Sequence, residues 1–233
     1  MIATLDALEA TTAVALFAWP RQAKVDRPVA KTKIYAHAKP GPALRALFVA
    51  QVDSINWAYK LSPETINLPA KPGVPEIEVF EVALKLPDIS HLVLRCIDKA
   101  IPFPILFNLR FDGRTRPVAA HKRPSDAASD QWVVGDYHAA PWQSDGVVRP
   151  ALPVALNLLG LYEQLLRQHL AVSARAGESL RDQLDRLATL AAKQIAAAKL
   201  EARLVAEKQF NRKVKINGEL RTLRDEVNRL TAS

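Results

Sequence analysis

The amino-acid sequence predicts an α+β fold, a mixed, largely antiparallel sheet with packed helices, followed by a long C-terminal helical, coiled-coil-like extension. Three observations predict it. Strand-period and helix-period runs follow one another as β, α, β, β, and no glycine-rich phosphate loop follows any strand, which argues against a doubly wound nucleotide-binding fold. Asp112-Gly113, a dipeptide that accepts the positive φ angles of tight hairpins, separates two extended runs. From Glu178 to Leu230 there is no proline, and apolar residues recur at helical spacing.

The elements follow in order. Met1 to Trp19 is alanine-rich and apolar, but Asp6 and Glu9 stand where a signal peptide would carry positive charge, so a structured helix is expected. Prolines at 20, 28, 40 and 42 make the next segment a loop, with one short strand at Lys33 to Ala36. Pro42 suits a first helical turn, and Leu44, Leu47, Phe48 and Val52 give Ala43 to Val52 one apolar helical face. Ser54 to Leu61 alternates as a strand with Ile55, Trp57 and Tyr59 on one face, and Ser62-Pro63 ends it. Glu76 to Leu86 is the strongest strand, with Phe80, Val82, Leu84 and Leu86 on one side. Ser90 caps a helix to Ala100 whose apolar surface comes from Leu92, Leu94, Cys96 and Ile97. Ile105 to Phe111 and Thr115 to His121 form the hairpin, Pro124 to Asp130 is a loop, and Gln131 to His138 adds an edge strand. Leu152 to Leu170 reads as a leucine-rich helix sealing one sheet face.

Ala171 to Gly177 is the expected hinge, giving a body of 1–173 and a tail of 174–233. Leu180, Leu184, Leu187 and Ala191 are spaced four, three, four; Ile216, Leu220, Leu223, Val227 and Leu230 run four, three, four, three, as in a coiled-coil seam. The two patterns do not share a register, so the repeat breaks near Lys208 to Lys215, and Gly218 adds a second weak point. Uninterrupted, Ser179 to Leu230 would extend about 78 Å at about 1.5 Å per residue. A rod of that length needs a partner, the body or a fold-back to cover its apolar stripe.

Composition bounds the function. Hydrophobic residues at 49% exclude a disordered chain, and no apolar run reaches the roughly 18 residues of a membrane span. A single cysteine, Cys96, excludes an internal disulfide and a multi-cysteine zinc site and fits a reducing compartment, so a cytoplasmic protein is expected. Histidines 37, 91, 121, 138 and 169 are scattered, and no serine stands in a nucleophile elbow. No catalytic residue, metal or cofactor is expected. The net charge of +8 is uneven: from Ala174 onward there are 13 Lys and Arg against 8 Asp and Glu, and before it 19 against 16. Such an excess favours polyanionic partners.

The strings KLSPETIN (Lys60 to Asn67), IDKAIPFPILF (Ile97 to Phe107) and EKQFNRKVKINGELRTL (Glu207 to Leu223) resemble the uncharacterised bacterial family catalogued as domain of unknown function 4391. The resemblance runs from about Phe17 to Leu230. It implies a β/α body followed by a helical region. It also implies genes beside DNA methyltransferases and helicases in restriction-like, anti-phage defence loci, with no established activity. Gly218 departs from the family's usual helix-favouring residue.

Two kinds of candidate site emerge. Lys208, Arg212 and Lys215 recur at helical spacing, with Lys213, Arg221 and Arg224 nearby, and Lys122 and Arg123 form a second basic patch; both suit phosphates, although interleaved Glu207, Glu219, Asp225 and Glu226 also suit a solvated face. Candidate interaction residues are Trp57, Tyr59 and Lys60 at a strand end, Phe210, and the seam Ile216, Leu220, Leu223, Val227 and Leu230. Ser62, Pro63 and Thr65 read as turn chemistry. Glu76, Glu78, Glu81 and Lys85 invite comparison with metal-dependent nucleases, but the spacing from Glu81 to Lys85 is two residues too long for a Glu-x-Lys pair.

The expectation is a non-catalytic interaction subunit of an anti-phage or restriction-type system. Its helical tail would dock a helicase or DNA methyltransferase and add DNA contacts. The rivals are a divergent metal-dependent nuclease and a self-assembling coiled-coil homodimer.

Overall fold

A computed structural model describes residues 16–125, 127 and 131–232. It divides into two compact units, Met1–Leu170 and Ala171–Ser233. The helix expected at Met1 to Trp19 lies mostly outside the described residues; of its end, Leu16 and Phe17 are buried and Ala18 bridges Ala151 without helix.

The first unit is built on seven strands: β1 (Lys24–Pro28), β2 (Val52–Leu61), β3 (Ile77–Leu84), β4 (Ile105–Phe111), β5 (Arg114–Pro124), β6 (Trp132–Ala139) and β7 (Gln143–Ser144). Their order is β1-β2-β3-β4-β5-β6, with β7 also on β5. Every pairing is antiparallel except β3 with β4. That parallel pair is joined by a crossover through α4 (His91–Ala100), whereas the antiparallel neighbours β4 and β5 are joined by the two-residue Asp112-Gly113 turn. The sheet is thus mixed and largely antiparallel, as expected from the β, α, β, β order.

Helices α1 (Lys31–Ala38), α2 (Pro42–Gln51) and α4 cover one face. Ile34, Phe48, Val93, Leu94 and Ile97 from these helices pack with Ile55, Phe80, Val82, Phe107 and Val118 in the principal core. The α4 helix starts where Ser90 accepts from Leu92 N at 3.3 Å, which satisfies one orphan amide of the first turn. Of its expected apolar surface Leu94, Cys96 and Ile97 are buried, whereas Leu92 is exposed and Val93 is buried instead.

Three expectations are corrected. The strand expected at Lys33 to Ala36 is helix α1; Ile34 and Ala38, one turn apart, are its buried positions, and Lys31 anchors it by donating to Val52 O at 2.5 Å. The strand lies earlier, at β1. In β2 the alternation is broken by register shifts at Val52/Ser54 and Trp57/Tyr59, so the buried residues are Val52, Ile55, Ala58 and Leu61, and Tyr59 no longer shares the face of Ile55 and Trp57. The helix expected from Leu152 is α5 (Leu158–Arg167), six residues shorter at its start. Pro153 biases its predecessor toward extended backbone, and Asn157 caps the helix by accepting from Gly160 N at 2.9 Å. Val154 and Leu156 upstream are exposed.

At the hairpin Asp112 and Gly113 take φ of 49° and 68°, as the tight β4–β5 turn requires. No helix among the described residues is long and apolar enough to cross a membrane.

The second unit is an antiparallel helical hairpin of α6 (Leu180–Ala206) and α7 (Phe210–Thr231). It is not one rod. Glu207 and Gln209 adopt extended ψ angles of 136° and 124°, and the Glu207 carboxylate accepts from Lys208 N and Gln209 N at 2.8 and 2.9 Å, which fixes the turn. Gly218 sits inside α7 without ending it. Cross-helix pairs Lys193–Glu226 and Arg224–Glu201, at 2.5 and 2.8 Å, set the register.

Candidate functional site

The KLSPETIN string is occupied by its own folding. Ser62 caps the short helix α3 (Pro63–Ile66) in a capping box with Thr65, whose hydroxyl donates to Lys60 O at 2.7 Å. Asn67 ends it at φ 55°. Lys60, a candidate interaction residue, pairs with Glu76 at 2.5 Å. Trp57 and Tyr59 are not on a free edge, because β1 pairs with them through Arg27 and Lys24. The Trp57 indole N–H donates to the Glu78 carboxylate. Burial, reinforced by the neighbouring Glu76 carboxyl, pushes Glu78 up to about 8 against the weaker opposing pull of Trp57 and Lys60.

The nuclease candidates do not converge. Glu78 and Glu81 are three apart on one strand and so point to opposite sheet faces. Glu76 is held by Lys60, Glu81 by Arg110 at 3.2 Å, and Lys85 by the carbonyl of Val49 at 2.9 Å. No three potential metal ligands cluster among the described residues.

Lys122, expected in a basic surface patch, is buried. Its ammonium donates to Asp98 O and Ile101 O at 2.6 and 2.5 Å and lies 3.4 Å from the Asp98 carboxylate. Tyr137 donates its hydroxyl to the other Asp98 oxygen, and the Trp132 ring sits 5.8 Å from the ammonium. A bulge between Ala120 and Lys122 interrupts the β5–β6 ladder, and the buried Tyr162 hydroxyl serves both freed groups, donating to Ala120 O at 2.8 Å and accepting from Lys122 N at 2.9 Å. Burial pushes Asp98 up and Lys122 down, each opposed by the other's charge. Lys122 therefore presents no charge to a phosphate. Arg123 donates to Pro124 O at 3.1 Å and is half-buried.

The composition signal that places Lys122 is its parity with Val118 and Ala120, both on the core face. Asp98 had no signal of its own until its partner was known to be buried.

In the hairpin, Ile216 and Leu220 are buried and Leu223, Val227 and Leu230 half-buried, so the seam is closed against α6. The buried positions of α6 are Leu180, Gln183, Arg186 and Leu190, offset from the expected Leu184 and Leu187. Polar groups occupy that seam because they tie down chain ends. Arg186 donates to both Glu178 oxygens at 2.7 Å, to Ser173 O at 2.8 Å and to Leu230 O at 2.8 Å, while Gln183 donates to Val172 O at 2.8 Å. Arg175 reaches Arg229 O and Ala232 O, so two guanidiniums satisfy the last carbonyls of α7. The Arg186 guanidinium holds Glu178 down to about 2.

Of the expected phosphate strip, Lys208 lies in the turn and not on the α7 face it was assigned to. Arg212 approaches Glu207 at 3.9 Å, and Arg224 pairs with Glu201. Lys213 is half-buried and Lys215 and Arg221 are exposed. Phe210 is 77% and Val214 55% exposed, with Val205 and Ile195 on α6 also exposed. A shallow depression of about 450 Å³ lies at the turn, lined by Arg203, Ala206, Glu207, Lys208, Gln209 and Ile216.

The mixed sheet with its helical hairpin matches the family model described as domain of unknown function (DUF4391) over residues 17–227, and the chain belongs to that family. No curated protein and no solved structure matches it.

Proposed function

We propose that the protein is a non-catalytic binding subunit of an anti-phage or restriction-type system, with its helical hairpin as the arm that docks a helicase or DNA methyltransferase. One observation carries this reading: the hairpin closes its own seam through Ile216 and Leu220, yet Ile195 and Val205 on α6 and Phe210 and Val214 on α7 stay exposed. Large apolar side chains that folding does not use are the material of interfaces. The choice of partner rests on the gene neighbourhood that the family resemblance implies. A symmetric coiled-coil homodimer through the seam is disfavoured, because α6 already covers it.

The test is affinity capture by the full-length chain from nuclease-treated lysate of its native host, with mass spectrometry of what is retained. Wild type is expected to retain a helicase or methyltransferase, and Ile195→Ser/Val205→Ser to lose it at unchanged helix content. Equal capture by both proteins would refute docking through α6.

A further inference from the structure

Charge is segregated along the hairpin. Residues 191–215 hold seven Lys and Arg against two Glu, whereas 171–190 and 216–233 hold three of each sign apiece. All of the unit's excess positive charge therefore sits at the end where α6 turns into α7. Lys193 is neutralised by Glu226, and Arg212 has only the distant Glu207. Lys199, Arg203, Lys208, Lys213 and Lys215 have no ion pair among the described residues. Like charges gathered on neighbouring turns oppose helix formation, so folding gains nothing from this arrangement.

Phe210 stands among these cations in the sequence. It is the one aromatic among the exposed large apolar residues described, and Val214 lies one turn further along the same face. Lys208 and Lys213 bracket the ring in sequence. An exposed phenyl ring with cations close by in sequence complements a chain that alternates anions with flat, apolar faces.

We propose that the turn end of the hairpin binds single-stranded nucleic acid, with Phe210 stacking on an unpaired base and Lys208, Lys213 and Lys215 neutralising phosphates along the strand. This rests on the reading of the hairpin as a binding arm and names a ligand for its α7 side. A duplex would engage the cations but keep its bases away from the ring. An acidic peptide would likewise leave the ring without its stacking partner.

The experiment is fluorescence anisotropy of the full-length chain with labelled 15-nucleotide oligothymidylate, a blunt duplex of equal length and poly-glutamate. Oligothymidylate should bind most tightly. With about three phosphates neutralised, its affinity should fall roughly 20-fold between 50 and 200 mM salt. Phe210→Ala should weaken binding about tenfold with the salt slope unchanged. Lys208→Glu/Lys213→Glu should weaken it and flatten the slope, whereas Arg181→Ala at the neutral end should change neither.

The proposal is overturned by no binding of oligothymidylate at 50 mM salt, by equal binding of the duplex or poly-glutamate, or by an unaffected Phe210→Ala. Its failure is separable from that of the docking reading. Capture of the protein partner is scored after nuclease treatment and on α6 variants, so it can persist when oligothymidylate binding is absent.

Discussion

Replacing Lys122 by Met separates a buried structural lysine from a phosphate-binding one. The ammonium is held by Asp98 O, Ile101 O and the Asp98 carboxylate, with Lys122 itself 1% exposed and Asp98 3%. Methionine fills much the same volume but donates nothing, leaving a buried carboxylate that keeps only the Tyr137 hydroxyl. Removing one partner of a buried pair costs about 3–5 kcal/mol, because the remaining charge is uncompensated. With a urea slope of about 2 kcal/mol/M, the midpoint should fall by about 1.5–2.5 M. All four tryptophans, at 19, 57, 132 and 142, belong to the first unit, so their fluorescence reports its unfolding without interference from the hairpin. Lys122→Met/Asp98→Leu should recover part of the loss, since it removes the stranded carboxylate together with its partner. An unchanged midpoint in Lys122→Met, or a loss of nucleic-acid affinity at full stability, would refute the buried-network account.

Three further outcomes are expected. Glu78 is raised in the fold to about 8 from an ordinary 4.5, so its contribution is fully present below pH 4.5 and lost as pH rises through 8, at roughly 1.4 kcal/mol per pH unit in between; Glu78→Gln should remove that slope from urea midpoints taken at pH 5, 7 and 9. Glu178 is lowered to about 2, so its support for the hairpin is present above pH 4.5 and fades as pH falls through 2; Arg186→Leu should reduce this acid sensitivity, leaving the part due to Arg175, and lower the melting of helical circular dichroism, with tryptophan fluorescence unmoved. Gly218 lies within α7 with nothing within 4 Å of a built Cβ, so Gly218→Ala should stabilise the hairpin by about 0.5–1 kcal/mol in thermal melts.

What the sequence made legible was periodic. The β2, β3 and β4–β5 runs, the Ser90 cap and the Asp112-Gly113 turn depend on neighbours a few residues away, and their chemistry stands in the sequence itself. Errors arose where a distant partner decides. The Lys33 to Ala36 segment is helical because Ile34 and Ala38 face a core made by Phe48 and Phe80. The β2 face changes at a bulge, which depends on pairing with β3. Lys122 reads as one cation in His121-Lys122-Arg123 until α4 and the residue after it supply the Asp98 and Ile101 carbonyls 24 and 21 residues away. The hairpin break was near its expected place because the two heptad patterns are incompatible, but the polar seam of Gln183 and Arg186 could not be read, since its reason is the chain ends it ties down.

The three strings that carry the family resemblance divide by what folding asks of them. In the first, Lys60, Ser62, Thr65 and Asn67 all have intramolecular duties, as ion pair, cap, cap partner and left-handed helix end. In the second, Asp98 and Ile101 supply the hydrogen-bond partners of the buried Lys122 ammonium. The third string is different. Glu207 fixes the turn and Ile216 and Leu220 close the seam, but the side chains of Lys208, Phe210 and Lys215 form no hydrogen bond or ion pair among the described residues and bury little surface. A sequence specifies residues either to fold or to act on something outside itself. Within the three strings, subtracting the residues that folding accounts for leaves those at the turn end of the hairpin, and these are the residues that the proposed nucleic-acid binding uses.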